Sequence, residues 1–199
     1  MKIVLATSNL GKISEFKGLL EPLEVGVVSQ AAYGITSPPE TGQSFVENAL
    51  IKARHASTLA SIPSIADDSG LVVRALEGEP GIKSARYSGQ HATDKENVDK
   101  LLDTMKAVPD DSRQCKFVCV LVYLRSRHDP APLIATGFWN GFVLRESRGL
   151  NGFGYDSIFG VPGTKQSAAQ LTFATKNRLS HRGVAVKHLL SLLEQEFGR

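Results

Sequence analysis

The sequence predicts an α/β fold with a mixed, twisted β-sheet flanked by helices. Three observations predict it. Short apolar runs of strand length alternate with longer spans whose apolar residues recur at helical spacing. Residues 117–124, Phe-Val-Cys-Val-Leu-Val-Tyr-Leu, are continuously apolar, as a central strand covered on both faces must be. Apolar runs flank Ser69-Gly70 and Asn140-Gly141, so antiparallel neighbours are expected beside parallel ones.

In chain order, residues 2–7 read as a short buried strand. A helix follows at about 11–21, with Ile13, Phe16, Leu19 and Leu20 on one face. Residues 24–29 form a second strand. Residues 30–43 hold Gly34, Pro38, Pro39 and Gly42 and form a loop. A helix spans 45–60. Strands at 64–68 and 71–76 surround a Ser69-Gly70 turn, and residues 77–92 are irregular. A helix covers about 94–108, and the apolar strand 117–124 follows. Residues 133–144 form a hairpin or a bent strand around Asn140-Gly141. Residues 145–165 are a glycine-rich loop, and a last helix runs from about 181 to 196.

The composition bounds the function. The chain has 199 residues, 42% of them apolar and 22% charged. That profile is globular, with room for one domain or one domain of two lobes. A net charge of +3 gives no basic excess to drive nucleic-acid binding. The first apolar stretch, Ile3 to Ala6, is too short for a signal core or a membrane span. A cytoplasmic protein without a membrane or nucleic-acid partner is therefore expected. Cys115 and Cys119 fall in one strand, about 13 Å apart, whereas a disulfide needs Cα atoms within roughly 7 Å. No His, Cys and Asp cluster around them to bind a metal.

Four helix starts fall into two kinds. Ser44 with Glu47, and Thr93 with Glu96, have the spacing of a capping box. The other two break the charge rule for helix N-termini. Ser8-Asn9-Leu10-Gly11-Lys12 opens a helix with a lysine, and Ser180-His181-Arg182-Gly183 places two cationic side chains in a first turn. Either these cations extend into solvent, or an anion such as phosphate binds where N–H groups and cations converge. Neither segment is a Walker A loop, and no G-x-G-x-x-G fingerprint follows a strand.

Asp67 and Asp68 end an apolar strand, where ligands of α/β sheets gather. Neighbouring side chains of an extended segment point to opposite faces. One aspartate is therefore expected to face a site and the other to hold the turn. Glu40 lies in a separate loop, and carboxylates from separate segments suit Mg²⁺. Asn48, Lys52 and His55 form a polar stripe on the 45–60 helix, beside Ala49, Ala53, Ala56 and Ala60. Taken alone, that stripe reads as a solvated face. Gly149, Gly152 and Gly154 surround Phe153 and Tyr155, which form either a surface staple or a platform that stacks on a base.

Together these motifs resemble the inosine/xanthosine triphosphate pyrophosphatase family, the RdgB type, over nearly the whole chain. They are Thr7 to Lys12, Glu40-Thr41-Gly42 with Phe45 to Ala49, Lys52-Ala53 and Ala66 to Leu71. Pro80-Gly81, Ser84 to Tyr87, Gly152 to Asp156 and Ser180 to Gly183 complete the set. The resemblance implies an enzyme that hydrolyses ITP, dITP, XTP and dXTP to the monophosphate and pyrophosphate with Mg²⁺. It implies a single two-lobed domain over residues 1–199, with the site in the cleft between lobes, and a homodimer.

Residue by residue, the resemblance implies substrate contacts from Thr7, Ser8, Asn9, Leu10, Gly11 and Lys12. It assigns the metal to Glu40 and Asp68, with Asp68 also the proton acceptor. Lys52 and Lys176 would contact the triphosphate. Ser69, Phe153, Gly154, Tyr155, Asp156, His181 and Arg182 would hold the nucleotide. Two positions depart from the family pattern: Ala174-Thr175 replaces acidic residues before Lys176, and Ser157 replaces a proline after Tyr155-Asp156.

The chemistry expected is attack of water on the α-phosphorus, with Asp68 or Asp67 taking the proton and pyrophosphate leaving. Donors from His181, Arg182 or the backbone would pair with O6 of hypoxanthine or xanthine and leave the adenine amine unpaired. Two rivals remain. One is a Maf-type pyrophosphatase for pyrimidine or modified nucleotides. The other is a non-catalytic nucleotide- or RNA-binding module, against which stand acids beside phosphates that need a cation.

Overall fold

A computed structural model gives the structure of residues 2–20 and 26–197. The strands are β1 Lys2–Leu5, β2 Gly26–Ser29, β3 Ser64–Val73, β4 Gln114–Leu124, β5 Leu133–Val143 and β6 Phe159–Gly160. The helices are α1 Leu10–Leu20, α2 Phe45–Ala60, α3 Asp94–Thr104, α4 Phe173–Leu179 and α5 His181–Phe197. The sheet order is β2-β1-β3-β4-β5-β6. β1 pairs in parallel with β2 and β3, whereas β5 and β6 are antiparallel, so the sheet is mixed as expected. Among the described residues no helix is long and apolar enough to cross a membrane.

The chain divides into two compact units. The first comprises Met1–Asp68, Cys119–Gly137 and His181–Arg199. Its core joins Ile3 and Leu5 of β1, Ile65 of β3, Cys119, Leu121 and Tyr123 of β4, and Phe16 of α1. Ala185, Val186, Leu189 and Leu193 add one stripe of α5, spaced to share a helix face. Gly137 of β5 lets the start of α5 approach closely. A Cβ there would lie 2.0 Å from the His181 carbonyl oxygen and 2.5 Å from the Ala185 nitrogen.

The second unit comprises Ser69–Val118 and Phe138–Ser180. Val98, Leu101 and Met105, one face of α3 and its end, pack with Leu71, Val73, Phe117, Trp139 and Phe159. Phe159 stands 4.6 Å from Phe117 and 4.7 Å from Trp139 between ring centroids, within the range of favourable tilted pairs. Thr93 and Glu96 form the expected capping box at the start of α3. Cys115 and Cys119 are free, buried thiols on β4.

Several expectations are corrected. Residues 64–73 are one unbroken strand, with no turn at Ser69-Gly70. Pairing with sheet neighbours overrides the local turn preference. Residues 133–143 are also one strand rather than a hairpin. Gly141 belongs there because a Cβ would sit 2.4 Å from the Phe159 ring. α3 ends at Thr104, short of 108. Pro109 disfavours a helical Val108, and the buried Arg113 guanidinium takes the Met105 and Val108 carbonyls. The stretch 145–165 is not loop throughout, since a 3-10 turn at Asp156–Ile158 leads into β6. α4 had no periodic signal long enough to announce it. The expected helix end at 21 and strand start at 24–25 lie outside the described residues, as do the side chains of Leu19 and Leu20.

Candidate active site

The first unit brings together residues 7–12, Glu40, Lys52, Asp67, Asp68, His181 and Arg182. After β1, Thr7 Oγ1 accepts the Asn9 N–H at 3.2 Å. Asn9 Oδ1 accepts the Lys12 N–H at 3.0 Å and so caps α1. Ser8 and Leu10 are exposed, and Gly11 is partly so. Lys12 Nζ reaches Asp67 Oδ2 at 2.8 Å.

At the start of α5, His181 and Arg182 are buried. The Arg182 guanidinium donates to Glu15 and, at 3.5 Å, to Asp67 Oδ2. Both unusual helix starts therefore send their cation to one internal carboxylate. Neither cation needs solvent to relieve the helix dipole, because Asp67 supplies a negative charge inside the protein. Sequence reasoning missed Glu15. Nothing local separates it from a surface acid, and its partner lies 167 residues away.

Asp67 and Asp68 do different jobs, but neither holds a turn. Asp67 faces Lys12 and Arg182. Burial would raise its pKa, yet Lys12, Arg182 and Lys52 hold it well below the usual carboxylate range. Asp68 faces α2. Its Oδ1 accepts Lys52 Nζ at 2.7 Å, and Oδ2 accepts Asn48 Nδ2 at 3.5 Å. Burial pushes the Asp68 carboxyl up, against the pull of Lys52.

Lys52 Nζ also donates to Glu40 Oε1 at 2.9 Å. Its ammonium is therefore buried between two carboxylates rather than lying on a solvated face. Burial pulls its pKa down, but Asp68, Asp67 and Glu40 more than reverse this and keep it charged. Asn48 lies one turn before Lys52 on α2 and is fully buried. Its Oδ1 accepts the Gly42 N–H at 2.9 Å, which ties the Glu40 loop to the helix. Ser44 caps α2, and Glu47 takes the Gln43 N–H and the Ser44 hydroxyl. His55 turns aside to the Thr36 carbonyl at 3.0 Å.

The second unit holds Ser69, Phe153 to Asp156, and Lys176. Gly152 takes a left-handed φ of 79°, and a Cβ there would strike Asp156 Oδ2 at 2.1 Å. That space lets Asp156 fold back to accept the Phe153 N–H at 2.9 Å. The same oxygen accepts Lys176 Nζ at 2.7 Å. The ammonium also sits 4.9 Å from the Phe153 ring centroid, within cation–π range. Gly154 donates its N–H to Asp94 at 2.7 Å. Tyr155 is buried, with its hydroxyl on the Ser84 carbonyl at 2.8 Å, so it braces the loop from beneath. A cavity of about 540 Å³ opens over Phe153, Gly154 and Asp156.

Hard oxygen donors for a metal ion are Glu40 and Asp68, converging on the Lys52 ammonium. Among the described residues no group of three or more His, Cys, Asp or Glu side chains converges to hold an ion. Two carboxylates nevertheless fit Mg²⁺, which keeps waters and takes phosphate oxygens for its remaining positions.

The model of the Ham1 family matches residues 3–192. The chain belongs to the Ham1 family. It is 54% identical over 192 residues to the dITP/XTP pyrophosphatase of Escherichia coli (strain K12), covering 96% of this chain and 98% of that protein. Its structure is similar to that of a HAM1 protein from Coxiella burnetii. The two share a TM-score of 0.91 and 45% identity, covering 98% of this chain and 99% of that one. The Staphylococcus aureus Ham1 protein matches with a TM-score of 0.87 and 38% identity, over 98% of this chain and 100% of that one. The family expected from the motifs is thus the one found. In this Ham1 chain, Asp156 orients Lys176 although Ala174-Thr175 supplies no acid. Ser157 reaches Ser147 Oγ at 3.4 Å.

Proposed function

We propose that this Ham1-family chain is a nucleoside triphosphate pyrophosphatase. It hydrolyses dITP, ITP, XTP and dXTP to the monophosphate and pyrophosphate, and so cleanses the nucleotide pool. The observation that carries the reading is the Lys52 ammonium held by Glu40 Oε1 and Asp68 Oδ1, beside Lys12 on Asp67. Such an array exchanges readily onto a bound triphosphate, because each lysine has a negative partner to leave and a phosphate oxygen to gain. Within the second unit, Lys176 lies beside Phe153, a ring on which a base would stack.

Glu40 and Asp68 would hold Mg²⁺, which when bound neutralises phosphate charge and lowers the pKa of water. Asp68 takes the proton of the attacking water at Oδ2, the oxygen that Lys52 does not occupy. Lys12 and Lys52 then balance the charge on the departing pyrophosphate. Selection of a 6-oxo purine needs a donor aimed at O6. The Arg182 guanidinium already serves Glu15 and Asp67, so the task falls to His181 and the backbone. We place the enzyme in the cytoplasm as a homodimer.

The test is a panel of ITP, dITP, XTP, GTP, ATP and UTP, each with and without Mg²⁺, in which pyrophosphate and orthophosphate are measured separately. Mg²⁺-dependent pyrophosphate from dITP and XTP is expected. Equal kcat/KM for ITP and ATP would sink the proposed selectivity, and orthophosphate as first product would sink the reaction.

A further inference from the structure

We propose that Gln30 is a positioning residue for the triphosphate, acting through the hydroxyls of Ser8 and Ser37. It rests on the reading of residues 7–12 as the phosphate-binding segment. Gln30 is 1% exposed, whereas Ser8 and Ser37 are both exposed. Its side-chain Nε2 donates to Ser8 Oγ at 3.1 Å and to Ser37 Oγ at 2.9 Å. One buried amide therefore holds two surface hydroxyls side by side, with 3.2 Å between their oxygens.

The backbone fixes where that amide points. Gln30 opens a 3-10 turn, Gln30–Tyr33, directly after β2. Ser29 caps the turn by accepting the Ala31 N–H at 3.3 Å. The turn closes at Gly34, in a left-handed conformation, and the Ile35 N–H returns to the Gln30 carbonyl at 3.1 Å.

The consequence follows from hydroxyl chemistry. A serine hydroxyl has one proton and two lone pairs. The amide N–H groups occupy a lone pair on each oxygen, so neither proton can point back at Gln30. One hydroxyl can donate to the other, but they cannot both do so. At least one proton is left for an outside acceptor, and phosphate oxygens are strong acceptors without a proton to offer. The clamp also joins two segments the reaction needs. Ser8 belongs to the segment that delivers Lys12, and Ser37 precedes Glu40 by three residues. His55, on the Thr36 carbonyl, pins the same loop from α2.

The test compares wild type with Gln30→Met, which keeps the size and removes the donors, and with Gln30→Glu, which can only accept. Calorimetry with inorganic tripolyphosphate and Mg²⁺ measures binding without turnover. Steady-state kinetics with dITP separates KM from kcat, and thermal melting reports the fold. Loss of one oriented hydrogen bond predicts that Gln30→Met weakens tripolyphosphate binding and raises KM about tenfold, with kcat within about threefold. Gln30→Glu, which turns the hydroxyl protons inward and adds a negative charge, is expected to lose more.

In a background carrying both Ser8→Ala and Ser37→Ala, Gln30→Met should cost less than about twofold, because both hydroxyls it orients are gone. A Gln30→Met protein that melts earlier but binds tripolyphosphate like wild type overturns the proposal, as does full additivity with the Ser8→Ala, Ser37→Ala pair. If Gln30→Met does not fold, Ser37→Ala on the surface must weaken tripolyphosphate binding on its own, and an unchanged affinity overturns the clamp. Wild type that binds tripolyphosphate but cleaves no nucleotide would defeat the pyrophosphatase reading and leave the clamp to be judged on binding. Wild type that does not bind tripolyphosphate defeats the clamp.

Discussion

The two faces of β3 at residues 67 and 68 use the same side chain for opposite ends. Asp67 points at Lys12 and Arg182, and these cations hold its carboxyl far below the ordinary range. Asp68 points at Lys52 and Asn48, and burial pushes it up. One face carries a permanent negative charge that anchors two helix starts. The other keeps a carboxylate that burial makes easier to protonate, against the pull of Lys52. A single step along a strand separates structural charge from chemical charge, because alternate residues see different neighbours.

The largest effect expected is on the chemical face. Asp68→Asn should lower kcat/KM for dITP with Mg²⁺ by about a thousandfold, since in the proposed mechanism it removes the proton acceptor and a metal-holding oxygen together. Near-normal turnover by this variant would break the comparison.

The structural face should answer in stability. Arg182→Met leaves Glu15 and Asp67 buried without the guanidinium, and chemical denaturation should show a loss of about 3 kcal/mol. Adding Glu15→Gln to that variant should recover about 1 kcal/mol, because one of the stranded charges is then neutral. No recovery would assign the Arg182 role to Asp67 alone.

The smallest effect sharpens what a structural carboxylate does. Asp129 is held down to about 2 by the Arg125 side chain, assisted by the Arg125 and Ala131 N–H groups. A depressed carboxyl adds stability above its unfolded pKa of about 3.9 and loses it as pH falls through the folded value. Asp129→Asn should therefore melt below wild type at pH 7, by on the order of 1 kcal/mol given the partial exposure of Arg125. The gap should close as pH falls from about 4 toward about 2. A gap that widened in acid would reverse the sign of the argument, and dITP kinetics should not change.

Much of this was legible where the signal is local. The Thr93 to Glu96 box, the alternation of Asp67 and Asp68, and the polar stripe that holds Lys52 follow from spacing alone. What spacing could not show is which of two local options long-range packing selects. Ser69-Gly70 has turn composition, but sheet pairing keeps it extended. Lys52 looks solvated until Glu40 and Asp68 arrive from other segments to bury it. Glu15 and Gln30 carry no motif of their own, since their roles depend on partners brought in by the fold.

The two cysteines of β4 have a consequence for the conditions this enzyme would meet. A thiol reacts with oxidants and nitrosating agents as its thiolate. Burial pushes Cys115 up to about 12, which leaves only about one part in 10⁵ ionised at neutral pH. Cys119 lies in the core without exposed surface. Nitrosative chemistry converts adenine and guanine amines into the 6-oxo and 2-oxo groups of hypoxanthine and xanthine. A chain charged with removing those products keeps its own sulfur out of the reaction that makes them.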